Sequence, residues 1–156
     1  MTAGLPHSTL FDPETVGTWL GHQLGRDALG DDYQDLPLWR HLFIDIALRL
    51  RQDWRPHVII PMNLWRYEYF SEIQSGLSRT GAVVICYRLT CSPATLRTRI
   101  LNRPDAEDGH DWCLSHLESG LAAANDPRFG LAMDTTGRTP QSVADQILAN
   151  VPTLLA

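Results

Sequence analysis

The sequence predicts an α/β fold in which helices cover both faces of a mostly parallel sheet, a three-layer sandwich. Short apolar runs alternate with amphipathic helical patterns four times along the chain. Two of these runs are almost wholly apolar, which is typical of strands that are buried on both faces of a sheet. The 156 residues are enough for one hydrophobic core, so we expect a single domain over residues 1–156.

Composition excludes several functional classes. The net charge is −5 and the arginines are scattered, whereas nucleic-acid binding needs clustered cations. No apolar run approaches the length of a membrane span, and no basic segment followed by a hydrophobic stretch opens the chain. We therefore expect a cytoplasmic protein that has neither nucleic acid nor membrane as a partner.

Cysteine and histidine spacing predicts no metal site. The three cysteines, Cys86, Cys91 and Cys113, lack C-x-x-C spacing and fit neither a disulfide framework nor a structural zinc site. The six histidines show no H-x-x-x-H or similar spacing. All thirteen basic residues are arginines, so the chain contains no lysine.

The first strand-to-helix joint lies near the N-terminus. Residues 8–11 form a short apolar run, Asp12 can cap a following helix, and Pro13 suits its first turn. Open α/β sheets bind their ligands at the carboxyl ends of strands. Asp12 and Glu14 are therefore candidate functional residues, with a helix cap and a helix-dipole partner as the alternative roles.

A second helix follows the polar loop at residues 26–34. Asp35 and Pro37 mark its start and Pro56 its end. The apolar residues that recur at helical spacing are expected to face the core; they are Trp39, Leu42, Phe43, Ile46 and Leu50. The charged residues expected on the opposite face are Arg40, Asp45 and Arg49.

Two apolar runs, at residues 57–62 and 82–89, predict central strands. The helix between them ends at Gly81. Asn63 follows the first of these strands, where a polar side chain can reach a ligand or simply form a turn.

The remaining segments complete the alternation. Ser92 and Pro93 begin a helix on which Arg99 and Arg103 share one face, because they are four residues apart. The acidic segment at residues 104–110 is a candidate lid loop, followed by a helix at 111–124. A strand at 131–136 and a closing helix that starts at Thr139 end the chain.

Five segments together resemble the tunicamycin-resistance-protein-like ATP-binding family, within the P-loop group of nucleotide and small-molecule kinases. They are FDPETVG (11–17), DYQDLPLW (32–39), VIIPMNL (58–64), YRLTCSPATLRTRILNR (87–103) and MDTTGRTPQSVADQI (133–147). The L-x-x-R-I-x-x-R helix and the D-T-T-G-R-T-P segment are widespread in such kinases. The strings PMNL and DLPLW narrow the resemblance to this family.

The resemblance implies ATP-dependent phosphoryl transfer to a hydroxyl of a small molecule, with antibiotic resistance as one use. Asp12 would be the base or the magnesium-side carboxylate, assisted by Glu14. Arg99 and Arg103 would reach the transferring phosphate as the lid closes. The alternative for both arginines is a solvated helix face.

The same resemblance implies binding residues. The acceptor site would be lined by Trp39, Arg40, Asn63 and Arg66, and the adenine of ATP would lie against Thr136, Gly137 and Arg138. Aromatic and guanidinium groups suit a hydroxylated, ring-bearing substrate. The structural alternatives are a core position for Trp39 and an exposed loop position for Arg138.

A complete family member would open with a strand followed by G-x-x-x-x-G-K-[ST], which holds the ATP phosphates. This sequence has neither that motif nor a lysine. We therefore expect a fold that lacks its first, central strand and its phosphate loop, the strand belonging between 58–62 and 82–89. ATP and Mg²⁺, the cofactors expected of a complete member, should bind weakly here.

Two explanations of the missing loop stay open. A late start or a truncated gene would leave a phosphotransferase without its first segment. A real loss of catalysis would leave a ligand-sequestering or partner-binding protein on a kinase fold.

Overall fold

The computed structural model describes residues 5–103 and 109–155. In those residues the strands are β1 (Ser8–Leu10), β2 (His57–Ile59), β3 (Tyr87–Thr90) and β4 (Leu131–Asp134). The α-helices there are α1 (Glu14–Leu24), α2 (Pro37–Arg49), α3 (Tyr67–Ser78), α4 (Pro93–Leu101), α5 (Gly109–Ser115), α6 (Leu117–Asn125) and α7 (Pro140–Leu155). No helix within these ranges is long and apolar enough to cross a membrane.

The strands pair in parallel, in two separate two-stranded sheets. Ser8 of β1 lies opposite His57 of β2, and Tyr87 of β3 lies opposite Leu131 of β4. The predicted mixed α/β class with parallel strands is confirmed. No ladder joins β2 to β3 within the described residues.

Several predicted elements differ in extent from the observed ones: β2 ends at Ile59 rather than at residue 62, and β4 ends at Asp134 rather than at residue 136. The strand predicted at 82–89 is β3, which begins only at Tyr87, because its ladder with β4 begins with the pair Tyr87 and Leu131. The helix predicted at 111–124 is divided into α5 and α6 at His116, whose φ of −99° and ψ of 6° leave the helical region. Of the predicted lid loop, residues 104–108 lie outside the described residues and 109–110 begin α5.

Contacts divide the chain into two compact units. The first unit consists of the residues up to Asn63 together with Glu68–Val84, and the second of Leu64–Tyr67 together with the residues from Ile85 onward. The first unit therefore contains β1, β2, α1 and α2, and the second contains β3, β4 and α4 to α7.

An aromatic cluster forms the core of the first unit. The Phe43 ring lies 5.6 Å from the Trp39 ring and 5.8 Å from the Phe11 ring. Ile44 and Ala47 complete the buried stripe of α2. Leu42 and Ile46, predicted to be core residues, are only half-buried.

Arg40 was predicted to lie on the polar face of α2, but the structure buries it. Its residue surface is only 8% exposed, because it follows Trp39 on the same buried stripe. Its guanidinium reaches Glu72, with Nε 2.7 Å from Oε2, so the buried charge is paired.

In the second unit, the buried apolar residues come from α4, α6, β4, α7 and the turn before β4; they are Ile100, Leu121, Ala123, Phe129, Met133, Val143 and Ala144. Arg88 on β3 donates to the carbonyl oxygens of Gly130 and Ala124, at 3.0 and 2.5 Å. These bonds tie the strand to the end of α6 and to the turn before β4.

Several strand-region side chains are uncovered. Leu89 in β3 is 55% exposed and Val83, before β3, is 68% exposed. Strands of a parallel sheet are ordinarily covered on both faces. Apolar side chains are therefore in contact with solvent in both units, Val83 in the first and Leu89 in the second.

Gly17 provides a test of packing in the first unit. A Cβ at this position would lie 2.7 Å from Cγ of Tyr33, so Gly17→Ala forces the tyrosine ring to move. We expect a loss of about 1–3 kcal/mol in the free energy of unfolding, although alanine is the better helix former by about 1 kcal/mol.

Gly120→Ala is the matched control, because Gly120 is also helical and no atom lies within 4 Å of its added Cβ. We expect it to leave stability unchanged or to raise it slightly. Urea unfolding followed by circular dichroism measures both variants. Equal stability of the two variants would contradict the close packing of Tyr33 on α1.

Candidate functional site

The carboxyl end of β1 passes into α1 through Asp12 and Pro13. Asp12 Oδ1 accepts the backbone N–H of Glu14 at 3.0 Å, and the Asp12 carbonyl accepts the Thr15 hydroxyl at 2.6 Å. Asp12 therefore stabilises the start of the helix. Its other oxygen, Oδ2, has no hydrogen-bond partner in the described part of the chain, and both Asp12 and Glu14 are exposed.

Trp39 holds this joint from the core. Its indole Nε1 donates to the Pro13 carbonyl at 3.1 Å, and both residues are fully buried. The predicted position of Trp39 in an acceptor pocket contrasts with its observed exposure of 0%. It is a core residue whose hydrogen bond fixes the backbone next to Asp12.

Tyr33 is a site residue that the sequence analysis missed. It lies in a short 3₁₀ turn before α2, and its ring packs against Gly17 and lies 5.1 Å from the Trp39 ring. These contacts hold the phenol ring in one orientation beside the start of α1.

The negative charges of three carboxylates affect the pKa of Tyr33. Burial raises the pKa of the Tyr33 hydroxyl, and the negative charges of Glu14, Asp32 and Asp12 raise that pKa further, in this order. The phenol therefore stays protonated at neutral pH and can donate a hydrogen bond. The sequence signal that could have identified Tyr33 was the segment DYQDLPLW, which contains both Asp32 and Tyr33.

Gln34 links this turn to the segment after β2. Its backbone N–H donates to Asp32 Oδ1 at 2.9 Å, and its side-chain Nε2 donates to the Asn63 carbonyl at 2.9 Å. The Asn63 side chain is exposed. The structure thus brings Asn63 to the site region, where its backbone is held and its amide is accessible.

Arg40 also holds the turn that contains Gln34. Its Nη1 donates to the Gln34 carbonyl at 2.6 Å, its Nε donates to Glu72, and its guanidinium lies 4.2 Å from the centre of the Tyr69 ring. These internal contacts use the groups with which Arg40 was predicted to bind substrate. Arg40 orients the segment that carries Asp32 and Tyr33.

In the second unit, Arg99 reaches the carboxyl ends of β3 and β4. Its Nη1 and Nη2 donate to the hydroxyl and the carbonyl of Thr135, at 2.8 and 2.7 Å. The Thr135 hydroxyl also donates to the Thr90 carbonyl at 2.9 Å. Arg99 therefore lies at the edge where open α/β sheets bind ligands, and part of its hydrogen-bonding capacity is used by Thr135.

The predicted adenine-binding residues form the turn into α7. Gly137 has a φ of 65°, which favours glycine. Arg138 donates to Gln146 Oε1 at 2.5 Å and to the Ser142 carbonyl at 2.8 Å. Arg138 is therefore engaged with α7, while Thr136 is exposed.

The last two predicted arginines, Arg66 and Arg103, are exposed in the second unit. Arg103 Nη1 lies 3.8 Å from the sulfur of Cys113. The described ranges contain no group of three His, Cys, Asp or Glu side chains placed to hold a metal ion.

The chain is similar to a solved structure, the tunicamycin resistance protein of Deinococcus radiodurans. The TM-score is 0.73 at 25% sequence identity, and the match covers 94% of this chain and 84% of that chain. No protein-family model and no curated protein matches the sequence. The likeness to a tunicamycin resistance protein thus supports the resemblance inferred from the sequence segments.

The raised pKa of Tyr33 predicts a pH dependence of stability. Folding favours the protonated phenol, so this contribution is complete below the ordinary pKa of 10.0 and is lost as the pH rises above it. Tyr33→Phe removes the ionisable group. The stability of the native chain should therefore fall more steeply above pH 10 than that of the variant, as measured by urea unfolding. Parallel pH profiles would contradict the burial of the hydroxyl.

Proposed function

We propose that this chain is the greater part of an ATP-dependent phosphotransferase that acts on a hydroxyl of a small molecule, with antibiotic resistance as its role. The likeness to the Deinococcus tunicamycin resistance protein supports this proposal. The observation that carries it is the convergence of exposed carboxylates and a protonated phenol at the carboxyl end of β1.

In this proposal, the first unit binds and orients the acceptor. Asp12 takes the proton of the attacking hydroxyl through its unpartnered Oδ2. The Tyr33 hydroxyl donates a hydrogen bond to an acceptor oxygen, and the exposed Asn63 amide contributes to orientation. The Trp39–Pro13 hydrogen bond keeps Asp12 in place, which is what positioning requires.

The residues present do not fit the triphosphate of ATP. The chain has no lysine and no G-x-x-x-x-G-K-[ST] loop, and no three candidate ligands in its described part converge on a metal ion. Arg99 and Arg103 can add positive charge near a phosphate but cannot replace a cradle of backbone N–H groups. We assign no step of the reaction to groups on ATP or Mg²⁺ here.

A further segment is therefore part of the proposal. Within the described residues, the sheets β1–β2 and β3–β4 have two strands each, and the resemblance implies a further strand, a phosphate loop and a helix. A strand of this segment would pair with an outer edge of one of these sheets and cover exposed apolar side chains such as Leu89 of β3. It would also supply the missing lysine.

The alternative is a protein that sequesters a ligand without modifying it. The absence of lysine from the whole chain favours this alternative, because binding at the acceptor site needs no phosphate loop. The two functions differ in what happens to ATP, so they are separable by experiment.

Calorimetry with ATP and Mg²⁺ tests the chain as it stands. We expect no binding tighter than about millimolar, since the groups that supply most of the affinity for phosphates are absent. The control is the same chain fused at its N-terminus to a strand, a G-x-x-x-x-G-K-[ST] loop and a helix, which should bind ATP in the micromolar range. Micromolar binding by the unextended chain would contradict the proposed need for that segment.

Asp12→Asn in the extended protein tests the catalytic role. Asn keeps an oxygen that accepts the Glu14 N–H, so the helix start survives while the base is lost. We expect turnover with tunicamycin as acceptor to fall by roughly 10²- to 10⁴-fold, with ATP affinity unchanged. Asp27→Asn, at an exposed position in a 3₁₀ turn, is the matched control.

Unchanged turnover of Asp12→Asn would reduce Asp12 to a helix cap. Tunicamycin binding without any phosphorylation by the extended protein would favour sequestration over transfer.

A further inference from the structure

Gln34 has a side chain that is almost completely buried, yet one end of its amide is unused. The residue is 4% exposed. Its Nε2 donates to the Asn63 carbonyl at 2.9 Å. Among the described residues, no group donates to the other end of the amide, Oε1. Because a polar group that is buried without a partner costs free energy, this oxygen gains from a hydrogen bond with a ligand.

The orientation of the Gln34 amide is fixed by its partner. A carbonyl oxygen only accepts hydrogen bonds, so the NH₂ group faces Asn63 and Oε1 faces away from it. Two further bonds hold the backbone of Gln34: its N–H donates to Asp32 Oδ1 at 2.9 Å, and its carbonyl accepts from Arg40 Nη1 at 2.6 Å. Oε1 is therefore held in one direction before any ligand binds.

Solvent reaches Oε1, although the rest of the side chain is buried. In the part of the chain that the structure describes, the fully buried side-chain atoms without a hydrogen-bond partner are the Tyr87 hydroxyl and His110 Nε2. Gln34 Oε1 also lacks a partner but is not one of these enclosed atoms, so the small exposed surface of Gln34 includes this oxygen. A donor group of a ligand can approach it.

The Gln34 amide lies at the carboxyl edge of the β1–β2 sheet. The two strands are parallel, and the Phe11 N–H after β1 donates to the carbonyl of Ile59, the last residue of β2, at 2.9 Å. Asp12 follows the end of β1 and Asn63 follows the end of β2, at the edge where open α/β sheets bind their ligands. The bond to Asn63 brings the Gln34 amide to this edge.

We propose that Gln34 Oε1 is a specificity-determining group that accepts a hydrogen bond from a hydroxyl or N–H group of the acceptor. Asp12 Oδ2 and Gln34 Oε1 are then two hydrogen-bond acceptors at one edge, so the site favours a ligand with several donor groups, such as a polyol. A ligand that presents an oxygen without a hydrogen to Oε1 is rejected. This inference rests on the proposed function for the existence of an acceptor, and the groups that it uses lie within the first unit.

Gln34→Met tests the role of Oε1, with tunicamycin as the probe and the unextended chain as the protein. Methionine has a similar length and suits a buried position, but it provides no strong hydrogen-bonding group. A ligand donor that loses its partner costs affinity, so calorimetry should show tunicamycin binding weakened by roughly 5- to 150-fold. Gln23→Met, at an exposed position of α1, is the matched control and should bind as the native chain does.

A measurement on the native chain does not depend on the folding of any variant. A hydrogen bond to Oε1 deshields the side-chain carbonyl carbon, so tunicamycin should move the ¹³Cδ resonance of Gln34 downfield and leave that of Gln23 in place. Native affinity in Gln34→Met would overturn the proposal. Weaker binding by the variant, with an unmoved Gln34 resonance in the native complex, would also overturn it, because Gln34 would then only position Asn63.

The outcomes separate this proposal from the proposed function. Phosphorylation of tunicamycin by the extended protein, with an unmoved Gln34 resonance, would keep the phosphotransferase and remove the role of Oε1. Tunicamycin binding that depends on Gln34, without phosphorylation, would remove the phosphotransferase and leave the role of Oε1 standing. A lack of tunicamycin binding by the unextended chain would overturn the proposal whether or not the extended protein transfers phosphate, since the groups concerned lie within the first unit.

Discussion

The hydrogen bond from the Trp39 indole to the Pro13 carbonyl is the constraint on which the first unit depends. Both groups are buried, and a buried carbonyl without a partner costs about 1–3 kcal/mol. The bond joins the middle of the core to the single residue that separates Asp12 from α1. The carboxylate at the end of β1 is therefore positioned by the core, although it is exposed to solvent.

A second set of buried contacts positions the neighbouring turn, which contains Asp32 and Tyr33. Arg40 donates to the Gln34 carbonyl, and the Gln34 side chain donates to the Asn63 carbonyl. A buried polar network is favourable only when its members are satisfied, and Glu72 balances the arginine charge. The segments that carry Asp32, Tyr33 and Asn63 are thus connected through hydrogen bonds below the surface.

Local pattern was sufficient to predict the strand-to-helix joint at Asp12, the parallel strand class and the helices. It failed for Arg40 because the burial of that side chain depends on Glu72 and Tyr69, which are about thirty residues away in sequence. It missed Tyr33 for a similar reason, since the ring is held by Gly17 and Trp39. The break at His116 was also invisible in the apolar spacing of residues 111–124.

The length of β3 shows a different limit of sequence reasoning. An apolar run specifies a buried strand, but a ladder exists only where a second backbone is available to pair. At 82–86 the composition is that of a central strand, yet the ladder with β4 reaches only as far back as Cys86, whose carbonyl accepts the Leu131 N–H at 2.9 Å. The exposed Val83 lies in this region. A sequence that encodes a buried strand, in a structure that does not pair it, is the physical reason to look for a further segment of backbone. The segments that carry Tyr33 and Asn63 do not depend on such a segment, because the hydrogen bonds of Gln34 and Arg40 that hold them lie within the first unit.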